Sequence, residues 1–145
     1  MHASKRDQRL ILEGASAAWA AHDVACVRAC VHRDAVYRHY LPPGAWPIPS
    51  TLRGKQNIAQ ALSHFLHDFD VIRYRPLKIA RDDSGLWVSR ITFQYAHKLT
   101  GHSFDGIARI RTQMEDDKIR SFEIIHDAPR LHAFFEMVSR MAVEA

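Results

Sequence analysis

The spacing of hydrophobic and polar positions changes period several times along the chain, and each change marks an element. Over residues 4 to 21, Leu10, Ile11, Gly14, Ala15, Ala18 and Trp19 recur at three-and-four spacing, which predicts a helix with one apolar stripe. Asp23 stands where a helix cap would, ahead of a short second helix carrying Val24, Val27, Ala29 and Val31. Residues 35 to 40, AVYRHY, set Tyr37 and His39 against Val36, Arg38 and Tyr40 and predict a first strand. From 41 to 53 the chain holds four of its six prolines, which predicts a long irregular loop carrying Trp46. Helical spacing returns from Lys55 to Phe69 through Ile58, Ala61, Leu62 and Phe65.

Three strands follow, 71–81, 86–98 and 103–114, turning at DDSG and LTGH. A fourth, 118–127, completes a hairpin across Glu115, Asp116 and Asp117. In its first arm Phe104, Gly106, Ala108 and Ile110 alternate with Asp105, Ile107, Arg109 and Arg111. In its second, Phe122, Ile124 and His126 share one face while Ser121, Glu123, Ile125 and Asp127 share the other. Parity puts His126 inward, and a bulge at the strand's end would bring Asp127 there instead. The chain closes on a helix that has Pro129 in its first turn and Leu131, Phe134, Phe135, Val138 and Met141 on its stripe. This order predicts an α+β fold: a curved antiparallel sheet wrapped around helices, a cone-shaped barrel with a central pocket, in one domain spanning 1–145.

Composition narrows the function classes. With 47% hydrophobic and 25% charged residues the chain is globular, and no apolar run approaches the ~20 residues of a membrane span. Twenty basic and sixteen acidic residues are interspersed, without a nucleic-acid motif, so no nucleic-acid partner is expected. No secretory signal is evident, and Cys26 and Cys30, one helical turn apart, fit a reduced, cytoplasmic location. No glycine-rich phosphate loop appears, and no cofactor is expected. His22, Cys26 and Cys30 share a helix face but span about 12 Å, too far for one ion. His64 and His67 lack a third ligand, so no metal is expected.

Three stretches, WAAHDVACVRACVHRDAVYRHY, LRGKQNIAQALSHFL and KIRSFEIIHD, carry a resemblance over nearly the whole chain. In them the chain resembles the cone-shaped nuclear-transport-factor-2-like superfamily, in its SnoaL-like and ketosteroid-isomerase-like branch. The resemblance implies a dimer and small-molecule chemistry, and it tests each known activity residue by residue. His39, five residues after Asp34, occupies the isomerase base position. The isomerase oxyanion tyrosine falls near Ala15, and its partner acid near Ala108 or Ile110, so neither donor is present and steroid isomerisation by that route is not expected. The Asp–His pair of the dehydratases has no aspartate on the first helix, because Asp23 serves as a cap. The cyclase-like members match best, with Asp127 as their terminal-strand carboxylate.

The candidate catalytic residues are therefore His39, His126 and Asp127, acting on a small apolar or aromatic molecule as isomerase, cyclase or dehydratase. Trp19, Tyr37, Trp46, Tyr74, Phe93, Tyr95, His97, Ala108, Phe122 and Ile124 are the expected ligand-contacting residues. The other reading is a non-catalytic ligand-binding or assembly module whose own aromatics fill the hollow. Trp87 suits either an interface or the core. The outer sheet face, with Ile107, Arg109, Arg111, Glu123 and Ile125, suits a homodimer interface, and Arg109 is expected opposite Glu123.

Overall fold

The computed structural model describes residues 3–42 and 46–144. Pro43, Gly44 and Ala45, in the middle of the proline-rich loop, lie outside the described residues. The elements run α1 (Lys5–Ala20), α2 (Val24–Ala29), β1 (Val31–His39), β2 (Thr51–Arg53), α3 (Lys55–Asp68), β3 (Phe69–Arg81), β4 (Trp87–His97), β5 (Ser103–Glu115), β6 (Lys118–Ile125) and α4 (Ala128–Glu144). Ser4 caps α1 in a reciprocal capping box with Asp7, which satisfies two backbone N–H groups of the open first turn. Asp23 caps α2 by accepting from the Cys26 N–H, as the sequence indicates.

All six strands form one sheet in the order β2-β1-β6-β5-β4-β3, so two edges stay open and the curved sheet does not close. Every neighbouring pair is antiparallel except β1 and β6, which run parallel. The all-antiparallel expectation thus needs that one correction. A parallel pair requires a long crossover, and here everything from β2 to β5 intervenes, so no turn signal could announce it.

Alternation along β4 and β5 is clean. Trp87, Ser89, Ile91, Phe93 and Tyr95 point inward with Phe104, Ala108, Ile110 and Thr112, and Arg90, Asp105, Ile107, Arg109 and Arg111 face out. Trp87 is core, 3% exposed. The β3 strand alternates only in pieces, because its pairing with β4 slips between Val71 and Arg73 and again between Pro76 and Lys78. Each slip flips parity, so Phe69, Val71, Tyr74 and Ile79 all turn inward despite their uneven spacing.

The structure differs from the sequence expectation in several places. The first strand begins at Val31, four residues early, and breaks register with β6 between Val31 and Val36. The proline-rich segment contains the short strand β2, paired with Val36, Tyr37 and Arg38. The last strand stops at Ile125, which leaves His126 and Asp127 in the link to α4. Finally, α2 is too short to hold His22, Cys26 and Cys30 on one face: His22 lies in the preceding turn and Cys30 is the C-cap.

Buried residues form two clusters inside the cone. The larger gathers Trp19, Tyr37, Trp46, Phe65, Phe93 and Tyr95 among α1, α3, α4 and the sheet. The smaller joins Leu12, Ile79, Trp87 and Ile119, and Phe122 packs against both.

Candidate functional site

A cavity of about 120 Å³ lies between the concave sheet face and the helices. That is of the order of the space a single aromatic ring occupies in a protein interior. Its wall is mostly aliphatic and aromatic, and among the described residues that line it there is no carboxylate, lysine or arginine. Trp19, Tyr37, Trp46, Tyr74, Phe93, Tyr95, Ala108, Phe122, Ile124 and His126 all line it.

His126 is placed by the end of β6. Phe122 and Ile124 already face inward, and one further step of the same parity carries the imidazole over the cavity. The Trp46 ring lies against it at 4.9 Å between centroids, and Phe93 meets it edge-on at 6.0 Å. Burial, with the His39 imidazole acting in the same direction, lowers the His126 pKa from 6.5 to about 4, so the ring is neutral near pH 7. Its Nδ1 is buried and has no hydrogen-bond partner.

Two more buried polar atoms on this wall are unpartnered: the Tyr37 hydroxyl and the Trp46 Nε1. Desolvation raises the Tyr37 pKa; the nearby Trp46 indole N–H acts in the opposite direction, though the two groups do not reach hydrogen-bond geometry. Burial likewise raises Tyr95, whose hydroxyl accepts from Trp19 Nε1 at 3.1 Å, and it raises Tyr74 further. All three phenols remain O–H donors at any ordinary pH.

The loop carrying Trp46 is held by His39. The Leu41 N–H donates to His39 Nδ1 at 3.1 Å, and His39 Nε2 lies 2.7 Å from the Ile48 carbonyl. A ring that accepts at Nδ1 carries its proton on Nε2, which therefore donates to Ile48. The His39 backbone N–H also reaches the Ser50 carbonyl at 3.0 Å. His39 is 4% exposed and is not part of the cavity wall. Both its nitrogens are committed to fastening the loop, so the expected general base is a structural clamp here. Asp127 is exposed, and its carbonyl accepts from the Leu131 N–H as α4 begins. The parity that turns His126 inward turns Asp127 out, so the expected His–Asp pairing is not assembled. His97 also lies off the cavity, with Nδ1 3.0 Å from Thr100 Oγ1 and its ring 5.0 Å from Phe69. It sits where the β4–β5 turn begins.

Ser16, Ser89 and Thr112 were not anticipated, yet they line the same cavity. The alternation WVSRITF already sets Ser89 on the face of Trp87 and Ile91, and the β5 alternation does the same for Thr112. His22, set aside as a metal ligand, ties the turn before α2 to β3: its Nε2 accepts from the Val71 N–H at 3.0 Å. Cys26 and Cys30 are free thiols, and His64 and His67 are exposed.

A family profile described as a SnoaL-like domain matches residues 12–122. The chain belongs to the SnoaL-like domain family. No curated protein matches it by sequence. Its fold is shared by TerC co-crystallised with polyporic acid (18% identity, 90% of this chain and 98% of that one, TM-score 0.75). A second relative in fold is an NTF2-like protein from Burkholderia pseudomallei (16% identity, 89% and 97% covered, TM-score 0.76). A third is a LEH-like epoxide hydrolase from Mycobacterium tuberculosis (15% identity, 97% and 98% covered, TM-score 0.71). At such identities the likeness is one of architecture. Among the described residues of this SnoaL-like chain, no helix is long and apolar enough to cross a membrane.

Proposed function

We propose that the cavity holds a small, largely apolar molecule bearing a carbonyl or enolic oxygen, and that the chain moves a proton at that oxygen as an isomerase or cyclase does. One observation carries this reading. The His126 Nδ1, the Tyr37 hydroxyl and the Trp46 Nε1 are buried, unpartnered and gathered on one cavity wall. An unsatisfied buried polar group costs about 1–3 kcal/mol, so three on one wall mark a place where a ligand's polar atoms complete the bonds.

The roles follow from the groups. Trp46 only donates, and Tyr37 stays protonated, so both suit an oxygen that gains negative charge during reaction. His126, neutral with a pKa of about 4, is too weak a base for an unactivated C–H bond. It suits passing a proton to or from an oxygen of an activated or already enolic reactant. Structural neighbours that bear the names isomerase and polyketide cyclase are in keeping with that reaction class. The acid–base group is His126 alone, without His39 or Asp127.

Benzoylacetone, an aromatic 1,3-diketone whose enol absorbs in the ultraviolet, provides the test. The wild-type chain is expected to speed its keto–enol interconversion, and His126→Leu and Tyr37→Phe each to lower that acceleration by about tenfold or more. Acceleration that survives in folded variants overturns the proposal, and binding without acceleration would make the cavity a carrier site. The same reading seats a second copy of the chain on the outer sheet face around Ile107, which is 50% exposed.

A further inference from the structure

The cavity has a second polar end that proton transfer at His126 does not use. Ser89 and Thr112 are 6% and 2% exposed, and with Ser16 of α1 they line the wall. None of these hydroxyls hydrogen-bonds to another described residue. The strand register sets Thr112 apart from His126, while Tyr37 stands in the row of Thr112 through Phe122. Thr112 stands opposite Trp87, and Ser89 opposite Ile110. His126 follows Ile125, whose partner is Arg109, so it lies level with Ala108. Four residues of β5 separate that level from Thr112, which is roughly 13 Å along the strand. The row between those two levels carries Ile110 and Ile124, with Ser89 opposite Ile110 on the side toward Thr112. The division of the core into two clusters follows the same axis, with Phe122 packing against both.

We infer that the natural ligand is polar at both ends, an apolar body whose second hydroxyl or carbonyl is seated on Ser89 and Thr112, and that these two side chains set specificity. Packing does not account for hydroxyls at these positions. Alanine at 89 and valine at 112 would fill the same space without setting a hydroxyl on an apolar wall. A hydroxyl rotor can donate or accept, so the pair serves either kind of ligand group. A wall built this way rejects an analogue lacking the group, because its hydroxyls are then left unmatched.

The inference uses the proposed function only in assuming that the cavity takes a ligand. Acetophenone and 4-hydroxyacetophenone share the carbonyl that His126 and Trp46 would hold, and they differ only at the far end. Isothermal titration calorimetry on the wild-type chain is expected to favour the hydroxylated probe by about tenfold, the worth of one good hydrogen bond. Thr112→Val combined with Ser89→Ala brings the two probes to near-equal affinity, while Thr112→Ser keeps the preference. His126→Leu weakens both probes alike. The melting temperature of the ligand-free double variant stays level or rises, since no protein hydrogen bond is lost, and this separates the role from a structural one. Equal wild-type affinities that still depend on His126 overturn this inference and leave the proposed function standing. A preference that survives the double replacement also overturns it. Failure of both probes to bind overturns both readings.

Discussion

His39 and His126 differ by environment rather than by residue type, and each gives a prediction. For His126 the folded-state pKa of about 4 lies below the ordinary 6.5, so the unfolded chain binds more protons between those values. The neutral ring's contribution is fully present above about pH 6.5 and is lost as pH falls toward 4, a change of about 3 kcal/mol. Urea melts across that window should show the loss in the wild-type chain, and His126→Leu should flatten it by that amount. His39 clamps the loop through two side-chain hydrogen bonds. His39→Ala should therefore lower stability by about 2–4 kcal/mol in urea melts, partly through the polar groups left unpaired on Leu41 and Ile48. If His39→Ala instead left stability intact and removed the benzoylacetone activity, a catalytic His39 would be restored.

Elements fix where such side chains point. A Cβ at Gly106 would lie 3.2 Å from ring atoms of both Phe93 and Phe104, so this position on β5 makes room for the aromatic wall. Gly106→Ala is expected to push those rings toward the cavity and cost about 1–3 kcal/mol by overpacking. Its thermal shift, together with weakened acetophenone binding, is the check. Trp46 contributes at the same scale. It packs on Phe65, Phe135 and His126, with centroids at 5.4, 5.0 and 4.9 Å. Trp46→Ala should cost about 3–5 kcal/mol through the hole it leaves, and it should let bulkier ring ketones bind, which calorimetry would show.

For the molecule as a whole, cross-strand pairing sets the character of the outer sheet face. The register places Arg111 opposite Glu123 and Arg109 opposite Ile125, so the expected Arg109–Glu123 pair is displaced by one step of the alternation. Arg90 stands opposite Arg109, a like-charge pair that is unfavourable on a free surface. The Tyr40 hydroxyl donates to Glu123 Oε2 at 2.6 Å on the same side. If this face is the dimer interface, Ile107→Glu should give a folded monomer by sedimentation velocity with an unchanged circular dichroism spectrum. A dimer that persists would move the interface elsewhere.

Period and turn chemistry were enough to read most elements, the inward faces of β4 and β5, and the inward His126, because these depend on neighbours a few residues away. The end of β6 shows the limit: alternation ran on through Asp127, while pairing stopped at Ile125. The bulges of β3, the parallel pairing of β1 with β6 and the strand hidden among the prolines depend on partners far along the chain, and local pattern carries no trace of them. The same holds for the chemistry. Sequence alone determined which residue types could act, and only tertiary packing decided that His39 spends both nitrogens on backbone groups while His126 keeps one unpaired. Whether an imidazole is a clamp or a reagent depends on which atoms the folded chain brings to it.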